Sequence, residues 1–271
     1  MRHIKEFGQL FESEQELTQE LTQEQKDWLD KCTEGDWRVN PQTGLVDVDV
    51  SFECFEQGPI GFNGVKFGHV GKNFDCSESG LTSLDGGPKS VGGDFYCFDN
   101  QLTSLKGAPK SVGYDFSCTH NLLTSLEGAP ESVGGDFSCS NNFLVSLEGA
   151  PQSVGRDFVC NYNQLVSLKG APQKVANDFK CIGNPLTSLE GAPQSVGRDF
   201  YFMFTPISDA IATRVLRLMS EKKIPLEQAV SDLWDLIPED DRIYLAKHHP
   251  DLPREERGEY MALERHKKRL I

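Results

Sequence analysis

The stretch LTSLEGAPESVGGDFSCSNN, residues 123–142, decides the fold, because nearly the same words recur every 21 residues. Leu81, Leu102, Leu123, Leu144, Leu165 and Leu186 open six copies. Proline holds one phase from Pro88 to Pro193, and valine another from Val91 to Val196. Each copy closes on phenylalanine, from Phe95 to Phe200, and the first five then place a cysteine two residues later. A fixed period of this length marks a stacked-repeat protein, in which each unit buries its apolar face only against its neighbours. Weaker copies precede these: VGKNFDCSESG is in frame, and VSFECFEQG is one residue out, since Cys54 to Cys76 spans 22.

Within one copy, DFSCS alternates. Phe137 and Cys139 point one way, and Asp136, Ser138 and Ser140 the other, as in a strand. Gly149 and Pro151 then turn the chain, and Leu144, Leu147 and Val154 return apolar groups to the same interior. Each unit therefore reads as one coil: a short strand, a turn and an extended return. Stacked coils would pair their strands into one parallel sheet. The expected class is an α/β repeat solenoid of 7–8 coils over 41–205. A peptide and helical cap are expected over 1–40, and a helical cap over 206–271.

Composition narrows the function. Charged residues make up 25% of the 271, apolar ones 38%, and the formal net charge is −14. An acidic chain lacks the basic stripe that nucleic acid requires, and anionic membranes repel it. No apolar run approaches the roughly 20 residues of a membrane span. The start, MRHIKEFGQLFESE, is broken by charges and has no secretory apolar core, so a cytoplasmic monomer is expected.

Eight cysteines are present. Cys54, Cys76, Cys97, Cys118, Cys139, Cys160 and Cys181 fall in the repeat, and Cys32 lies outside it. Neighbouring strands are close enough for a disulfide, but equivalent side chains point in parallel, and no CxxC or Cys/His cluster suggests a metal. The cysteines read as small buried residues that stack on their copies. Asp94, Asp115, Asp136, Asp157, Asp178 and Asp199 should also stack, at a spacing where like charges repel. Either each accepts N–H bonds from the glycine-rich turn before it, or the row holds cations.

The pattern FxCxxNxLxxL (Phe137, Cys139, Asn142, Leu144, Leu147) resembles the leucine-rich-repeat signature LxxLxLxxNxL, with Phe and Cys in place of the strand leucines. The resemblance implies a leucine-rich-repeat-like parallel sheet. It also implies that Asn100, Asn121, Asn142, Asn163 and Asn184 form an asparagine ladder, their amides bonded to backbone in the turns. Whole copies resemble repeat proteins encoded by bacteriophage and marine viruses, as does WLDKCTEGDWRVNPQTGLVDVDV over 28–50. That likeness implies a viral source and names no activity.

The flanks add little chemistry. Residues 12–32 read as a polar helix with a stripe of Leu17, Leu21, Trp28 and Leu29. Before it, Ile4, Phe7, Leu10 and Phe11 share one helical face and could dock into a partner groove, or pack on the chain's own cap. His248 and His249 lack further ligands at metal-binding spacing. No P-loop, GxGxxG, HExxH or GxSxG occurs, so neither an enzyme nor a cofactor is expected. Two columns of the exposed strand face vary while the framework does not. Tyr96, Phe98, Ile182, Tyr201 and Met203 are the candidate anchors for a protein partner. The alternative is a virion or assembly component that docks through its N-terminal peptide or C-terminal helices.

Overall fold

The computed structural model describes residues 20–54, 61–202 and 205. It is a parallel β-solenoid of about seven turns with one short helix, and the 21-residue period is its turn length. Each repeat contributes two strands of two residues, one built on the valine column and one on the phenylalanine column. Two sheets therefore line the coil where one was expected, because the Ser-Val return pairs as well. Pro and Gly stand within three residues of Ser132–Val133 on either side, too close for any alternation to show.

The chain divides into two compact units. In the first, Trp37–Val39 pairs antiparallel with Val46–Val48. The parallel stack Phe67–Val70, Ser90–Val91, Ser111–Val112 and Ser132–Val133 follows. Its phenylalanine sheet runs Phe52–Glu53, Phe74–Asp75, Phe95–Tyr96, Phe116–Ser117. In the second unit the valine sheet runs Ser153–Val154, Lys174–Val175, Ser195–Val196. Phe137–Ser138, Phe158–Val159, Phe179–Lys180 and Phe200–Tyr201 form its phenylalanine sheet. In the six regular repeats the phenylalanine and valine of each coil pair with their own copies in the next, which is why these framework letters recur, while the residues beside them differ from coil to coil.

Two-residue strands carry few hydrogen bonds, so packing inside the coil holds the fold. In the first unit the rings of Phe74, Phe95 and Phe116 stack at 5.5 and 5.4 Å, tilted by 6° and 7°. In the second, Phe137, Phe158, Phe179 and Phe200 stack at 5.2, 5.3 and 5.1 Å. All are buried, as are the leucine, valine and cysteine columns beside them. Burying one such phenylalanine contributes roughly 1.5–3 kcal/mol.

The asparagine side chains form a hydrogen-bonded ladder. Asn100 Oδ1 accepts the Leu81 N–H of the preceding coil at 2.8 Å. Its Nδ2 donates to the carbonyls of Cys76 and Cys97, at 3.0 and 3.1 Å. Asn121, Asn163 and Asn184 repeat this set, and Asn142 accepts from Leu123 and donates to Cys139. The amide thus satisfies backbone groups that a tight buried turn would leave unpaired. The residue just before each of these asparagines is left-handed, with φ of 52–54° at Asp99, His120, Asn141 and Tyr162 and 69° at Gly183.

The N-terminal end is closed by helix α1, Gln23–Thr33. Thr22 caps it: its hydroxyl accepts from Gln25 N at 3.3 Å, and the Gln25 side chain accepts from Thr22 N at 2.9 Å. Leu29 is fully buried, and the Trp28 ring lies 5.5 Å from Phe52, over the end of the ring stack.

The cysteine reading needs one correction. Cys32, in the last turn of α1, forms a disulfide with Cys54, so Cys54 is not a free member of the ladder. The parallel-pointing argument holds between coils, but Cys32 approaches from the helix and meets the first coil from outside the ladder. The other six cysteines are free and buried. The helical cap expected over 206–271, the docking peptide Ile4, Phe7, Leu10 and Phe11, and the pair His248 and His249 lie outside the described residues.

Candidate functional site

The candidate site is the outer face of the phenylalanine sheet. Period-two alternation sends Phe and Cys inward, so Asp, the residue after Phe and the residue after Cys lie on the other side, with Ser77 and Ser140 buried there. The aspartate column is a hydrogen-bonded ladder. In the first unit, Asp94 N donates to Asn73 Oδ1 at 3.0 Å, and Asp115 N to Asp94 Oδ1 at 2.9 Å. In the second, the N–H groups of Asp157, Asp178 and Asp199 donate to Oδ1 of Asp136, Asp157 and Asp178, at 2.9, 3.2 and 3.1 Å. Each of these carboxylates therefore caps the next coil. The sequence alone could not show this, because both partners carry the same letter. No group of three or more metal-ligating side chains occurs among the described residues.

Of the five anchors expected from sequence, the structure places four, all half-buried on this face. Tyr96 and Phe98 come together in the first unit, ring centroids 6.1 Å apart and tilted by 58°. Burial and the carboxylates of Asp94, Asp115 and Asp75 push the Tyr96 phenol up to about 12. Ile182 and Tyr201 belong to the second unit. Ile182 N donates to Asn161 Oδ1 at 2.8 Å, and the Tyr201 hydroxyl to Asp199 Oδ2 at 3.4 Å. Burial, then Asp199 and Asp178, hold the Tyr201 phenol above its ordinary value. Met203 lies outside the described residues.

Lys180 is a feature that sequence reasoning passed over. Its ammonium lies 2.6 Å from Asp157 Oδ2, 3.4 Å from Asp178 Oδ2 and 5.9 Å from the centroid of the Tyr201 ring. Burial pulls this lysine down, but the two carboxylates outweigh it, and the group titrates above an ordinary lysine. The available signal was a cation in a column otherwise of Asp, Tyr, Ser and Val. Also missed are the exposed apolar residues Phe143, Val145, Tyr162 and Val166 in the turns of the second unit. Phe143, Val145 and Val166 stand where other copies carry Gln101, Thr103 or Thr187, and Tyr162 where they carry Asp99, His120 or Asn141.

The six free thiols are buried. Cys160 and Cys181 donate to the carbonyls of Lys180 and Tyr201 in the next coil, both at 3.4 Å. Burial pushes the thiols of Cys76, Cys97, Cys118, Cys160 and Cys181 up, so little thiolate exists near neutral pH. No helix among the described residues is long and apolar enough to cross a membrane.

Fold and face together define a β-solenoid repeat protein with a variable outer sheet. No family model, curated protein or solved structure matches the chain.

Proposed function

We propose that this protein is a non-enzymatic interaction scaffold that binds a protein partner through the outer face of its phenylalanine sheet. The carrying observation is the contrast within one strand. Phe95 and Cys97 are buried and repeated from coil to coil, while Tyr96 and Phe98, between and beside them, are half-buried at positions whose residue varies from coil to coil. A rigid framework that varies only outward is how repeat proteins present a surface, and aromatic groups concentrate binding energy. A leucine-rich-repeat kinship, a bacteriophage origin and a host-protein partner rest on the sequence resemblance alone.

The test is capture by the whole chain beside a Tyr96→Ser, Phe98→Ser, Tyr201→Ser variant whose circular dichroism is unchanged. A captured protein is then purified and titrated against both. A partner that binds the native chain at least tenfold more tightly than the variant supports the reading. Equal binding to both removes the face from the function.

A further inference from the structure

We propose that the Cys32–Cys54 bond is a redox-controlled latch, holding α1 as a lid over the first ring of the phenylalanine stack. Reduction by a dithiol releases the lid and leaves the coils folded. This device is independent of the scaffold reading above.

Without the bond, little holds α1 down. Of its eleven residues only Leu29, Cys32 and Thr33 are buried. A helix this short is marginal in water and depends on contacts with the rest of the fold. The Trp28 ring covers Phe52 and Phe67, with centroids 5.5 and 6.4 Å away. Its indole N–H, however, is buried without a hydrogen-bond partner. The closed lid thus leaves a polar group unsatisfied, and water would satisfy it on opening. Gln25 Nε2 donates to the Asn63 carbonyl and Trp37 Nε1 to Asp30 Oδ1, both at 2.7 Å. Neither bond is sealed from water, which competes for both groups. The chain leaves α1 through Glu34 and Gly35, with φ of 55° and 81°. These are the residues that take up the backbone change when the helix swings away. What opening uncovers is Phe52, 1% exposed in the closed state.

The bond is also the place where a redox reagent meets this chain. Cys54 is half-buried, while the six cysteines outside the bond are free and buried. A thiolate of the dithiol bonds Cys54 Sγ, and Cys32 leaves as a thiolate that takes up a proton. The reagent's second thiolate then attacks its own sulfur in the mixed disulfide, and Cys54 leaves and is protonated in the same way. The two electrons and two protons of the dithiol pass to the chain, and the reagent departs as its cyclic disulfide. An oxidised dithiol reverses the sequence and closes the lid.

The test is amide hydrogen exchange of the full chain at neutral pH, read by mass spectrometry, before and after dithiothreitol and again after reoxidation. Maleimide labelling follows the thiols, and the Cys32→Ser, Cys54→Ser double variant stands for the open state without reductant. Circular dichroism checks its fold. After reduction, residues 23–33 are expected to exchange at least tenfold faster and residues 90–201 less than twofold faster, with protection restored on reoxidation. Two thiols should label in the native reduced chain, and the double variant should exchange rapidly at 23–33 with or without reductant. Unchanged protection of 23–33 after two thiols have appeared would overturn the inference. So would equal acceleration of 23–33 and 90–201, which would make the bond a support of the whole fold. A native chain in which dithiothreitol exposes no thiol would overturn it as well.

Discussion

Replacing Asn163 with alanine tests the turn that every coil shares. Asn163 Oδ1 accepts the Leu144 N–H of the preceding coil at 3.1 Å. Its Nδ2 donates to the carbonyls of Cys139, Cys160 and Asn161, at 3.1, 3.2 and 3.3 Å. The side chain is buried, so water does not replace it freely. Alanine leaves the Leu144 N–H without a partner, while the Cys139 carbonyl keeps its bond from Asn142 Nδ2. One orphaned buried group costs about 1–3 kcal/mol. That is a sizeable share of the roughly 5–15 kcal/mol that holds a domain together. At about 2–4 °C per kcal/mol for a chain of this size, Tm should fall by roughly 5 °C. Thermal and urea unfolding followed by circular dichroism near 218 nm reads it, with exposed Gln164→Ala as the control, expected to move less than about 0.5 kcal/mol. Asn163→Asp keeps the acceptor but turns a buried charge toward three carbonyls, and should be worse than alanine at neutral pH. A loss below about 1 kcal/mol for Asn163→Ala would refute the claim that the ladder, and not the ring stack alone, fixes the coil.

Gly128 has φ of 91°, and a Cβ there would lie 2.7 Å from the Leu105 carbonyl carbon and Lys106 N, so Gly128→Ala should cost more than about 1 kcal/mol in urea unfolding. A thiol reagent should find none of the six free cysteines in the native protein, six after denaturation without reductant, and eight after reduction. The Cys32–Cys54 link spans 22 residues, and the chain-entropy estimate for such a loop is about 3 kcal/mol; reductant, or serine at both positions, should lower the unfolding midpoint accordingly. Burial and the nearby carboxylates push the Tyr96 phenol up to about 12, so its neutral form is favoured in the fold. Stability should be full below pH 10 and fall as pH rises toward 12, with Tyr96→Phe flattening that fall and removing the latest phenolate absorbance at 295 nm.

How far the sequence could be read depended on whether a feature repeats. The Phe, Leu, Val and Asn columns announce a coil, its length and its interior, because a side chain that must pack on its own copy has to recur at a fixed interval. Tyr96 and Phe98 were legible as surface for the converse reason: they break the pattern at positions that alternation turns outward. The Cys32–Cys54 bond was not legible, since Cys32 belongs to no column and its partner is set by where α1 lies against the first coil. Lys180 was passed over because its partners are carboxylates from two different coils, 2 and 23 residues away.

The sequence by itself therefore determined the 21-residue coil, its apolar filling and the outward columns, since these follow from periodicity and from the need to bury what one coil cannot. Only the tertiary structure decided that the Ser-Val return is a second sheet, that each described aspartate bond reaches forward to the next coil, and that a helix is tied to the first coil through Cys32. Each of these is a choice of partner across coils or between elements. Identical letters at every rung make such partners indistinguishable until the chain is stacked.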